Sequence, residues 1–131
     1  MELSKELLVG VWSLEQFIVH RENGELFEWP GKQSGTLIYT ENGFVSVAQN
    51  RQPLPNPTEE DKNRVSNFYT GTYELDLKNK QVFHTGLQSS VPSVIGQRMQ
   101  RSLNFLPDGR LKITGTGLKE QVTLVWSKVN A

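Results

Sequence analysis

Four turn signals divide this chain into short, evenly spaced runs of alternating residues. They are Asn23-Gly24, Asn42-Gly43, Lys78-Asn79 and Pro107-Asp108-Gly109. Asn-Gly is the favoured pair of a two-residue type I′ hairpin loop, because both central residues need positive φ. From Val11 to Arg21 the alternation places Trp12, Leu14, Gln16, Ile18 and His20 on one face. Strands over 36–40 and 44–49 flank the second signal, and 68–77 and 81–87 flank the third. Runs over 98–106 and 110–116 flank the fourth, and 121–129 is the last strand. This makes about eight strands in sequential hairpin order. No helix between them is long enough for a parallel crossover, so the sheet is expected to be antiparallel. The fold class that follows is all-β, an up-and-down barrel of about eight strands.

Two stretches break the pattern. Residues 2–8 carry Leu3, Leu7 and Leu8 at helical spacing, and Gly10 ends that helix. Between Asn50 and Asn67, Pro53, Pro55 and Pro57 forbid a central strand. There Thr58 followed by Glu59, Glu60 and Asp61 predicts a capped helix over 59–66. A long loop of this kind is expected to be a lid, with Leu54 and Val65 over the barrel mouth. Trp29-Pro30 is a second candidate rim element.

The 131 residues suit one domain, 1–131. Fourteen Lys and Arg balance fourteen Asp and Glu, which argues against a nucleic-acid partner. The absence of cysteine excludes disulfides, thiolate metal sites and thiol nucleophiles, and fits a reducing, cytoplasmic setting. No run approaches the roughly 18 apolar residues of a membrane span, and the N-terminus lacks the pattern of a signal peptide.

An eight-stranded barrel is just wide enough to hold one small ligand. Pairing across Lys78-Asn79 sets Leu75 opposite Val82 and Tyr73 opposite His84. Pairing across a three-residue loop at 107–109 sets Phe105, Leu103 and Arg101 opposite Leu111, Ile113 and Gly115, with Met99 on the same face. The predicted interior combines Leu14, Ile18, Ile38, Val47, Leu75, Val82, Leu103, Phe105, Ile113 and Leu124. Gln16, Tyr73, His84 and Arg101 are set among them. An apolar cavity with a few polar groups is the usual make-up of a small-molecule site. The candidate ligand-binding residues are therefore Gln16, Tyr73, His84, Met99, Arg101 and Leu103. An inward arginine stays charged, so it must be paired, solvated or offered to a ligand anion. Equally, these groups can satisfy one another around buried water.

Two histidines on distant strands, with no carboxylate at ligand spacing, do not make a metal site. No phosphate loop, dinucleotide fingerprint or nucleophile elbow is present, so no cofactor and no catalytic residue is assigned.

Gly10-Val11-Trp12 is similar to the GxW signature of lipocalins. In that family the Trp closes one barrel end under a basic residue, a part open here to Lys128 or Lys119. A longer set of blocks resembles the lipocalin-like domain family of small bacterial and fungal cytosolic barrels. The blocks are Gly35 to Gly43 (G-x-LIYT-x-x-G), Tyr69 to Tyr73 (Y-x-G-x-Y), Val82-Phe83-His84, Arg101 and Leu124-Val125-Trp126. The resemblance implies an antiparallel barrel with a central cavity, and His84 and Arg101 match recurrent positions. Three functions remain open. The first is binding of a small, largely apolar molecule, either neutral or acidic. The second is a cofactor-independent isomerase or cyclase acting on a hydrophobic metabolite through positioning in a dry cavity. The third is an interaction module or homodimer built on exposed edges or on Phe27 and Trp29.

Overall fold

The computed structural model describes residues 3–116 and 120–129. Its nine strands are β1 (Gly10–His20), β2 (Leu26–Glu28), β3 (Gln33–Tyr39), β4 (Phe44–Arg51), β5 (Ser66–Asp76), β6 (Gln81–Ser89), β7 (Arg98–Phe105), β8 (Leu111–Thr116) and β9 (Gln121–Lys128). All pair antiparallel in sequential order, and β9 returns to β1, so eight of them close a barrel. The ninth, β2, adds to the end of β1 at Ile18, Val19 and His20. Closure removes the long free edges that an edge-pairing interaction module would use. Among the described residues no helix is long and apolar enough to cross a membrane.

The loops explain where alternation predicts correctly and where it slips. At 21–25, 40–44 and 106–110 the chain closes in the same way. In each, the residue before the loop donates its N–H to the carbonyl after it (2.8, 2.9 and 2.8 Å). In each, only the glycine has positive φ: Gly24 at 91°, Gly43 at 93° and Gly109 at 89°. These are three-residue loops with glycine in the bulge position, so the two Asn-Gly pairs are not type I′ turns. The correct loop length at 107–109 gives the predicted pairs Arg101–Gly115, Leu103–Ile113 and Phe105–Leu111. Tyr73–His84 and Leu75–Val82 also pair as predicted. At Asn42-Gly43 the extra loop residue moves the register by one. Leu37, not Ile38, lies opposite Val47, so Leu37 and Tyr39 point inward and Ile38 points out.

A second correction lies in β1. Leu14 pairs with Trp126, but Gln16 already pairs with Val125, so Glu15 is the extra residue of a β-bulge. A bulge inverts the face of every residue beyond it. Phe17 and Val19 therefore enter the core, and Gln16, Ile18 and His20 turn outward.

One barrel end is sealed. α1 (Lys5–Leu8) is shorter than the predicted 2–8; Ser4 caps it, and its Leu8 is buried. The Trp12 indole donates to the Leu8 carbonyl (2.9 Å), and its ring meets Phe105 at 6.1 Å. Lys128 Nζ sits 5.3 Å from the Trp12 ring centre and donates to the Leu7 carbonyl, so Lys128 takes the stacking part. Lys119 lies outside the described residues. Truncating a buried indole of this kind costs roughly 3–5 kcal/mol.

At the other end α2 (Glu59–Lys62) begins with the predicted Thr58 cap, completed by Asp61 as a capping box. It stops before the predicted 66, because Asn63 and Arg64 tighten into turns bonded to Glu60 and Asp61. Trp29 is 2% exposed and packs at a tilt on Phe17 (5.8 Å) and edge-on against Phe27 (6.2 Å). It belongs to the core and leaves no Trp29 patch for a partner.

Candidate functional site

β1 enters the barrel at the sealed end, so every even-numbered connection after it lies at the other end. That end holds the segment 52–65 and the turn Pro92–Val94. Between these loops and the sealed floor lies a cavity of about 500 Å³. This falls within the range of small-molecule sites. Its wall is largely apolar, with Leu37, Val47, Ile113, Val122 and Leu124 all facing in. Its strand-borne polar groups include Arg51, Tyr69, His84 and Arg101.

His84 on β6 is 2% exposed and has a tyrosine at each ring nitrogen. Tyr39 Oη lies 2.7 Å from Nε2, and Tyr69 Oη lies 2.7 Å from Nδ1. Tyr39 comes from β3 and Tyr69 from β5, so three strands fix one imidazole. Burial pushes the His84 pKa down to about 3, and the nearby Arg101 charge pushes in the same direction. The ring is neutral at physiological pH. Burial also raises Tyr39 and Tyr69, opposed in both by Arg101. Tyr73 packs edge-on against Tyr39 (4.9 Å) and donates to the Thr40 carbonyl (2.6 Å).

Arg101 on β7 lies across its neighbour strand. A Cβ at Gly115 would come within 2.7 Å of Arg101 Cδ and 3.1 Å of Cζ, so the missing side chain at 115 is the bed of the guanidinium. Its partners are the Gln100 carbonyl (3.0 Å), Met99 Sδ (3.6 Å) and the Tyr69 side chain. Among the described residues no carboxylate pairs with it. All three partners are neutral and the thioether is a weak acceptor, so they compensate the charge only in part.

Arg51 on β4 is a second inward cation. Its guanidinium stacks on Phe17 at 3.5 Å and donates to the Arg64 carbonyl (2.7 Å) and to Gln49 Oε1. Burial, then the charge of Arg64, lowers its pKa to about 9, which leaves it cationic at neutral pH. The mouth is crossed by the α2 segment, which charge ties down. Asp61 accepts from Arg21 (2.9 Å) and Arg64 (2.8 Å), and Glu120 and Glu60 also pair with Arg64. Burial would raise the Asp61 carboxyl, but those two arginines outweigh it and hold it below the usual range. Leu54 and Val65 pack against the core beside this network.

Of the six candidate residues, His84, Met99 and Arg101 line the cavity together. Tyr73 and Leu103 face inward but sit in the packed wall beyond it. Gln16 does not reach the cavity: the bulge turns it outward, where it donates to Glu28. Tyr39, Tyr69, Arg51 and Trp126 were not among the candidates. Two of them had a signal. Tyr69 is two and four positions from Gly71 and Tyr73 on one face, and Arg51 shares the face of Val47. Tyr39 was hidden by the one-residue slip in β3. Among the described residues no group of three or more His, Asp or Glu side chains is placed to hold a metal ion.

No curated protein matches the chain. A family model described as a lipocalin-like domain matches residues 9–129. That span runs from the residue before β1 to the residue after β9, so it takes in the whole barrel, its cavity and the Gly10-Val11-Trp12 floor. The chain belongs to the lipocalin-like domain family.

Proposed function

We propose that the barrel binds one small, largely apolar molecule through an acidic head group. Lipocalin-like barrels point to small-molecule binding in general, and the cavity volume suits a single molecule of that kind. The observation that carries the acidic head is Arg101. Its guanidinium sits on an apolar cavity wall, seated over Gly115, with a carbonyl, a thioether and the neutral Tyr69 side chain as its hydrogen-bond partners and no carboxylate among the described residues. A charge held this way gains most from a ligand anion. His84 is neutral there and Met99 is soft, so neither repels such a ligand.

Two fluorescent probes of matched body test this: anionic anilinonaphthalene sulfonate and neutral phenylnaphthylamine. Arg101→Gln is expected to weaken the anionic probe about tenfold and the neutral probe less than about twofold. Equal loss of both removes Arg101 as the anion anchor. Native mass spectrometry of the purified chain identifies any molecule that it retains.

A further inference from the structure

Resting on that reading, we propose that Tyr69 makes the second contact to the ligand's acidic oxygen. Its hydroxyl hydrogen is turned into the cavity by a fixed chain running Tyr39 to His84 to Tyr69.

The argument is one of hydrogen counting. A neutral imidazole has one N–H donor and one bare nitrogen acceptor. Both nitrogens lie 2.7 Å from a tyrosine oxygen. One tyrosine must therefore donate to the ring, and the other must accept from it. The accepting tyrosine keeps its own hydrogen and needs somewhere to place it. Tyr39 is 1% exposed, is not part of the cavity wall, and has His84 as its hydroxyl partner among the described residues. If Tyr39 accepted, its hydrogen would be buried without a partner, which native interiors avoid. Tyr69 lines the cavity, so its hydrogen has room to meet a ligand. The consistent arrangement has Tyr39 donating to Nε2 and Nδ1–H donating to Tyr69. Tyr69 then presents an O–H to the cavity. Accepting from His84 polarises that O–H and makes it a better donor.

Arg101 acts on Tyr69 directly: its charge opposes the effect of burial there, and it donates a hydrogen bond to the Tyr69 oxygen, which leaves the hydroxyl hydrogen unused. One anionic oxygen can therefore meet a guanidinium and a hydroxyl on the same wall. The ligand class is an oxyanion on an apolar frame: a carboxylate, enolate or phenolate. The neutral state of His84 is part of the design, because a protonated ring would donate from both nitrogens and fix neither tyrosine.

Nitrogen NMR of the full chain labelled at histidine reads the tautomer without any ligand. His84 is expected to carry its hydrogen on Nδ1; a hydrogen on Nε2 overturns the proposal. Tyr69→Phe is then compared with Arg101→Gln on the same two probes. Tyr69→Phe is expected to weaken anilinonaphthalene sulfonate about tenfold and leave phenylnaphthylamine within about twofold. If Arg101→Gln costs anion affinity and Tyr69→Phe does not, the role of Tyr69 fails and the binding reading stands. If neither variant separates the probes, both fail. The tautomer is measured on the unaltered chain, so it decides even if Tyr69→Phe does not fold.

Discussion

Acid should unfold this barrel earlier than its balanced charge suggests, and His84 is the reason. The ring is buried between Tyr39, Tyr69, Tyr73 and Met99, with Arg101 close by. Its pKa falls from 6.5 to about 3 on folding, chiefly through burial and then through Arg101. A depressed folded pKa means that the unfolded chain binds the proton first. Nothing is lost above 6.5. Below it, each pH unit removes about 1.4 kcal/mol of stability until the folded pKa is reached. At pH 5 the loss is about 2 kcal/mol, a large share of the 5–15 kcal/mol typical of a domain. Free carboxylates ordinarily titrate below this window, so the slope within it is chiefly a histidine effect. Urea unfolding at half-unit steps from pH 7.5 to 5 measures the slope. His84→Asn removes the titrating ring and should flatten that slope, even though it lowers stability at every pH by disturbing both tyrosines. A flat wild-type profile, or the same slope in the variant, refutes the reasoning.

Three further outcomes are expected. Gly115→Ala places a methyl 2.7 Å from Arg101 Cδ, and the flexible side chain swings away. Stability should change by less than about 1 kcal/mol while anilinonaphthalene sulfonate binding falls, and unchanged anion affinity contradicts the seating of Arg101. Gly71→Ala is the opposite case, since its Cβ would lie 1.9 Å from the Thr85 carbonyl oxygen and against Gly86 backbone. No side chain can yield there, so β5 and β6 must part, at a cost of about 3 kcal/mol or more in thermal unfolding. Asp61→Asn removes the carboxylate that Arg21 and Arg64 share. Its depressed pKa stabilises the fold above 3.8 and loses that contribution as pH falls through the lower folded value. The variant should be about 2 kcal/mol less stable at pH 7, with a smaller gap at pH 3, by chemical denaturation.

The strands that were legible share one property. In β7 and β8, Leu103-Asn104-Phe105 and Leu111-Lys112-Ile113 alternate apolar with polar residues, so one face is unmistakable. The pairs predicted there, and at Tyr73–His84, are the pairs found. The two errors fall where both faces are apolar: Phe17-Ile18-Val19 in β1 and Leu37-Ile38-Tyr39 in β3. Either face could be buried there, and the choice passes to a bulge at Glu15 and to one residue of loop at 41–43. Gln16 left the site by the first of these, and Tyr39 joined it by the second.

The sequence by itself determined the class of fold, the order of strands and the inward turn of His84 and Arg101. Turn chemistry and period-two alternation act over a few residues, so they can be read locally. Tertiary structure decided the rest. Closure of β9 onto β1 completes the barrel around the cavity, and the folded sheet brings Tyr39, Tyr69 and His84 from three strands to 2.7 Å contacts. A single inserted residue inverts a strand's faces, and the energy that selects the insertion comes from packing across the barrel, which no local pattern records.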